Sequence, residues 1–195
     1  MTIEITYRQT SRLSMRIVKN GDVHVSAPLG MARDEIEKFI ADNTEWIGQA
    51  RQRRAQRQQH DADFYAQLPL NTREQCDDAL RRLKALITPM VEHHARRMGV
   101  QPKSIYYSAT TSRWGVCYPK RGRIGFSVYL LLLPEWCAEH VVVHELCHLL
   151  EPSHNDHFHA LMNHYYPLWH EARAETRRIC RGAVSDEEEE EEEAD

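Results

Sequence analysis

Between residues 141 and 154 the chain reads VVVHELCHLLEPSH. On a helix, His144 and His148 stand one turn apart on a single face, so two imidazole nitrogens can meet at one metal ion. Glu145 lies one residue round from His144. That sets its carboxylate beside a metal-bound water and outside the ligand set, the place of a general base in metal-assisted hydrolysis. Val141, Val142, Val143, Leu146, Leu149 and Leu150 make the segment apolar around most of its circumference, so the helix should be buried. Two histidines and a glutamate buried there are costly unless a dication held by neutral imidazoles satisfies them.

Such a site needs a third ligand. His154 follows His148 by six residues, beyond a helix end expected near Glu151-Pro152, and a chain that turns there can return it to the same ion. The metzincin proteases have their third histidine at this spacing, with a glycine where this chain has Glu151, so the turn must differ. His157, His159, Glu171 and Glu175 are the alternatives. Three protein ligands on tetrahedral zinc leave one position for water, which marks a catalytic and not a closed structural site.

The elements that must position these residues can be read from periodicity. Ile3, Ile5 and Tyr7 alternate, Met15, Ile17 and Val18 then lead into Asn20-Gly21, and Val23, Val25 and Ala27 alternate beyond it, which predicts a β-hairpin turned by two residues that tolerate positive φ. Apolar residues at helical spacing from Ala32 to about Gln58 predict one amphipathic helix with a basic end. Residues 59–71 lose that periodicity, contain Pro69 and read as a linker. Asn71 with Glu74 fits a capping box opening a second helix, which Pro89 should kink or split and Gly99 should end. Ile105–Ala109 and Arg123–Leu132 are predicted strands, SRWGVCYPKRGR between them a loop, and Pro134 to Leu150 the helix that carries the histidines. The expected organisation is residues 1–58 as hairpin plus basic helix, 59–71 as linker, 72–182 as the core and 183–195 as a disordered acidic tail.

The chain has 195 residues and a formal net charge of −4. The run from Asp186 to Asp195 holds 9 of the 29 acids, so the remainder carries 25 bases against 20 acids, a net +5. An acidic block of this kind buries no apolar surface and stays solvated. Five cysteines, odd in number and without a C-x-x-C pair, argue against a disulfide scaffold or a cysteine-built zinc cluster. The longest apolar stretch, Val128 to Leu133, is far short of the roughly 20 residues of a membrane span. The N-terminal residues lack the basic and apolar regions of a secretory signal, so a cytoplasmic location is expected.

The chain resembles the YgjP-like metallopeptidase family, relatives of the SprT-type zincins. The likeness runs from about Ala79 to Trp169, through SRWGVC (Ser112 to Cys117), the strand leading to Pro134 and HELCHLLEPSHN (His144 to Asn155); the hairpin, Ala27-Pro28 and the helix with Trp46-Ile47 also match. The resemblance implies an α+β fold in which a small sheet and the HExxH helix form a zincin-like metallopeptidase core, preceded by an N-terminal β-hairpin and helix. It also implies zinc on His144, His148 and His154, Glu145 as general base, and a cleft shaped by Arg113, Trp114 and Gly115. Ser127 stands where the family often has asparagine, and a short linker replaces a β-rich insert found in many members.

The expected activity is zinc-dependent hydrolysis of a peptide or protein. Arg113, Tyr107 and His157 are candidates to stabilise the oxyanion. Two alternatives use the same residues differently. One is a nucleoside triphosphate hydrolase, with Arg113, Lys120, Arg121 and Arg123 meeting phosphates. The other is a nucleic-acid-associated scaffold or protease tethered by Arg51, Arg53, Arg54 and Arg57.

Overall fold

The computed structural model describes residues 2–18 and 20–181; the acidic run from Asp186 lies outside them. The chain is mixed α+β and divides into two units, residues 1–60 and 61–195. Among the described residues, no helix is long and apolar enough to cross a membrane. The five cysteines form no disulfide.

The first unit is built on three strands, β1 (Ile3–Arg8), β2 (Ser14–Ile17) and β3 (Val23–Pro28), ordered β1-β3-β2. β2 and β3 form the expected antiparallel hairpin, with Ile17 opposite Val23, and β1 adds to the other side of β3 in parallel. At the turn Gly21 alone takes positive φ (82°), and its N–H donates to the Val18 carbonyl at 2.9 Å. Asn20 contributes through its side chain instead, accepting from the Asp22 N–H and donating to the Asp22 carboxylate. Val23, Val25 and Ala27 on the central strand are fully buried with Ile36 and Ile47.

The single helix expected from Ala32 to Gln58 is two, α1 (Arg33–Asp42) and α2 (Thr44–Ala66). Asn43 and Thr44 separate them: their side chains donate to the Phe39 and Ala41 carbonyls, at 2.8 Å each, and so bind the last turn of α1. α2 then continues through 59–66, where an irregular linker was expected. Phe64 and Leu68, four residues apart and followed by Pro69, are both buried in the core of the second unit, and that short apolar spacing is what the polar surroundings obscured.

The second unit opens with α3 (Arg73–Met98). Its capping box lies one residue beyond the expected one: Thr72 Oγ1 accepts from the Gln75 N–H and Gln75 Oε1 accepts from the Thr72 N–H. Pro89 neither splits α3 nor ends it. Leu83, Ile87, Met90, Val91 and Met98 are buried on both sides of the proline, and that packing carries the helix past one missing donor.

A three-stranded sheet lies beyond, from β4 (Ser104–Ser108), β5 (Gly115–Tyr118) and β6 (Arg123–Ser127), ordered β4-β6-β5. β4 runs parallel to β6 and β5 antiparallel to it. The SRWGVC segment expected to be a loop therefore supplies an edge strand. The strand expected to reach Leu132 stops at Ser127, whose Oγ donates to the Thr110 carbonyl at 2.7 Å and accepts from the Tyr129 N–H at 3.3 Å, turning the chain into a short 3₁₀ stretch over Val128–Leu132. α4 (Glu135–Cys147) then packs against α3, β5 and the two last helices, α5 (Asp156–Tyr165) and α6 (Trp169–Arg181). α4 is buried nearly all round, as its apolar sequence requires.

Candidate metal centre

α4 places His144 one turn before His148, which caps its C-terminus. The chain then reverses. Glu151 holds the reversal: its carboxylate accepts from the Ser153 N–H at 3.1 Å and meets His157 Nδ1 at 3.3 Å. Those contacts hold the Glu151 carboxyl below its ordinary range, the Ser153 hydrogen bond first and His157 next. Asn155 then caps α5, accepting from the Phe158 N–H at 3.0 Å. Between the two caps His154 swings back over α4.

The result is three converging imidazoles. His144 Nε2 is 3.2 Å from His148 Nε2 and 3.1 Å from His154 Nε2. Two nitrogens each about 2.0 Å from one tetrahedral dication stand roughly 3.3 Å apart, so the spacing fits such an ion. His148 Nδ1 lies 3.1 Å from the Glu151 carbonyl, which accepts its proton and leaves the Nε2 lone pair facing inward. Burial lowers the pKa of all three; for His144 it reaches about 3, with His148, His140, His154 and Arg173 adding to the effect. Neutral imidazoles are the form a metal ion needs. Phe158, 2% exposed, packs on all three rings with centroids 4.7 to 4.9 Å away and limits their rotation.

None of the alternative third ligands joins this cluster. His157 is exposed beside Glu151, His159 stacks on Trp169 at 5.6 Å and 3°, and the Glu175 carboxylate is held by Arg178 at 2.6 and 2.7 Å. Glu171 is exposed.

Glu145 faces β5 and is buried. A Cβ on Gly115 would lie 2.5 Å from Glu145 Oε1 and 2.6 Å from its Cγ, so only glycine leaves room for the carboxylate. Burial pushes the Glu145 carboxyl up to about 8, against a smaller opposing pull from the Arg113 charge. Cys117, also on β5, is pushed up to about 12 by burial and then by Glu145.

The other residues named from the sequence have different surroundings. Arg113 is exposed, and its charge acts on Glu145 and Tyr106. Trp114 is half-buried in the core, edge-on to Phe64 at 6.4 Å, and its carbonyl accepts from the Ser127 N–H at 2.8 Å. Tyr107 packs against the core with Lys84 Nζ 5.8 Å from its ring centre.

A cleft of about 750 Å³ opens from His144 and His154 toward α5 and α6. Its further wall is His140, Phe158, His159, Trp169 and Arg173. The sequence reading passed over His140, although it stands one turn before His144 on the same face. It also passed over Arg173, for which no local pattern signals a site.

A model of the YgjP-like metallopeptidase domain matches residues 11–70 and 65–179. No curated protein matches the chain. Among solved structures, the crystal structure of the metallopeptidase zymogen of Pyrococcus abyssi abylysin is similar, at 22% identity and a TM-score of 0.42, over 48% of this chain and 90% of that one. With most of its length matched by the family model, the chain belongs to the YgjP-like metallopeptidase family.

Proposed function

We propose that the protein is a zinc-dependent peptidase, with His144, His148 and His154 holding the ion and Glu145 acting as general base. The observation that carries this is the convergence of three Nε2 atoms, 3.1 and 3.2 Å apart, at the mouth of a cleft in a chain of a metallopeptidase family. Zinc at that point supplies a Lewis acid that polarises the scissile carbonyl and acidifies water.

The chain's own residues do the rest. Glu145 takes a proton from the attacking water and passes it to the leaving amine nitrogen. Its carboxyl, raised by burial, needs a nearby positive charge to ionise at neutral pH; Arg113 contributes part, and an ion held by the histidines would add to it. Gly115 keeps the carboxylate in register, and Phe158 keeps the imidazoles there. A cytoplasmic location belongs to the same proposal, in keeping with five cysteines that form no disulfide. The phosphohydrolase and nucleic-acid readings have no comparable support: of the four basic residues named for phosphate, Arg123 lies over the Tyr106 ring at 4.1 Å and only Arg113 is felt at Glu145.

The test is metal content per chain together with cleavage of a degenerate peptide library. One zinc per wild-type chain, a clear loss in His154→Ala, and full metal with roughly 10²- to 10⁴-fold slower cleavage in Glu145→Gln are expected. Full zinc retention in His154→Ala would remove the third ligand, and cleavage unaffected by Glu145→Gln would remove the base.

A further inference from the structure

Between Glu92 and Glu135 the sequence holds seven bases and no aspartate or glutamate. Five of the seven, Lys103, Arg113, Lys120, Arg121 and Arg123, border the outer side of the second sheet. Register sets Gly115, Cys117, Ile124 and Phe126 on the inner side with Glu145 and the core, and therefore Tyr106, Tyr118 and Arg123 on the other. There Tyr106 lies across Gly125, where a Cβ would run into its ring, and its hydroxyl meets that of Tyr118. The Arg123 guanidinium stacks over the Tyr106 ring at 4.1 Å, and the Arg113 charge reaches the same phenol. Lys120 and Arg121 belong to the 3₁₀ turn from β5 to β6, and the Lys103 side chain lies against that turn at Gly122. All five cations are exposed, and among the described residues none is held in an ion pair.

The opposite charge follows α6. Asp186 to Asp195 hold nine acids and no base. The last turn of α6 lies near the loop that opens β5: Tyr65 feels the Cys180 thiol, and the Tyr65 hydroxyl donates at 3.1 Å to the carbonyl of Thr111, two residues before Arg113. Asp186 is five residues beyond Arg181 and Glu193 twelve, reaches of at most about 18 and 43 Å. A three-stranded face is about 10 Å across. Tethering holds such a run at roughly millimolar effective concentration, so exposed pairs that are weak singly act together.

We propose that the outer face of the β4-β6-β5 sheet is the docking site of the chain's own acidic run, Asp186 to Asp195, which thereby excludes other anionic chains from that face. The docking is independent of the peptidase reading. It is made by exposed charges of opposite sign and weakens as salt rises.

The first test is carbodiimide cross-linking of the full wild-type chain with peptide mapping, since the reagent joins a carboxylate only to an amine in contact with it. Links from the run to Lys103 and Lys120 should exceed those to Lys38 and Lys84 at least about 10-fold at low salt and disappear in about 0.5 M salt. Links mainly to Lys38 or Lys84, or links to no lysine, overturn the proposal. So do links between isotope-labelled and unlabelled chains in a mixed sample, which place the run on a second copy. The second test titrates a labelled peptide of residues 185–195 into the wild-type chain and into a full chain whose run has its glutamates changed to glutamine and its aspartates to asparagine. The neutralised chain, its face vacant, should bind the peptide at least about 10-fold tighter than wild type. Adding Arg113→Gln with Arg121→Gln should remove that binding, and adding Arg51→Gln with Arg57→Gln on α2, the same change in charge, should leave it. Equal binding by wild-type and neutralised chains, or loss of binding through the α2 pair and not the sheet pair, overturns the proposal; the comparison of those two chains needs no substitution in the sheet.

Discussion

Gly115 on β5 and Glu145 on α4 are in contact at a distance that admits no side chain at residue 115: a Cβ there would sit 2.5 Å from the carboxylate oxygen. The strand edge and the HExxH helix are thus locked in register by the absence of an atom. Gly115→Ala should retain metal and displace Glu145 by about 1 Å. Such a misplacement costs on the order of 10² in rate. Library cleavage and metal content measured on the same preparation check this, and activity within threefold of wild type would refute it.

The pH dependence of stability in protein stripped with a chelator follows from two opposed groups of shifts. His140 and His144 have folded pKa values of about 4 and 3 against an ordinary 6.5. On acidification the unfolded chain takes up those protons first, so stability falls as pH drops below about 6.5. Glu145 has a folded value of about 8 against 4.5. Its contribution is complete below pH 4.5, declines as pH rises through 8 and is flat beyond. Between 4.5 and 6.5 two histidines outweigh one carboxyl, so the thermal midpoint should peak near pH 6.5 to 7. In Glu145→Gln the decline between about pH 6.5 and 8 should vanish, leaving the loss above pH 9 that the Cys117 and Cys147 thiols contribute, and persistence of the decline below pH 8 would assign it elsewhere.

Phe158 should matter to metal affinity without touching the ion, because it packs on all three imidazoles. Phe158→Leu keeps the site apolar but frees the rings to turn, and metal affinity should fall about 10-fold, the lower end of what supporting residues around metal ligands contribute. Competition with a chromophoric chelator measures it. Unchanged affinity would mean that the caps at Glu151 and Asn155 alone hold the ligands.

Ser127, 1% exposed, ties the end of β6 to the Thr110 carbonyl and caps the 3₁₀ stretch that follows. Ser127→Ala leaves the half-buried Thr110 carbonyl without this donor, at a cost of about 1 kcal/mol. Chemical denaturation should show the loss with the slope unchanged.

His144, Glu145 and His148 were legible from the chain because their relation is local: four residues of helix set two imidazoles on one face wherever that helix is placed. The apolar run around them likewise announced burial, and the hairpin before β3 announced itself through Asn20-Gly21. His154 was legible only as one candidate among several, since its return depends on how Glu151 and Asn155 turn the chain between two helices. Gly115, Phe158, His140 and Arg173 belong wholly to the tertiary structure. Each meets the site across a gap in sequence that periodicity does not span, from an edge strand read as a loop or from helices whose only local signal is amphipathic. Spacing along a helix sets which side chains share a face; which strand, ring or charge stands opposite that face is decided by packing.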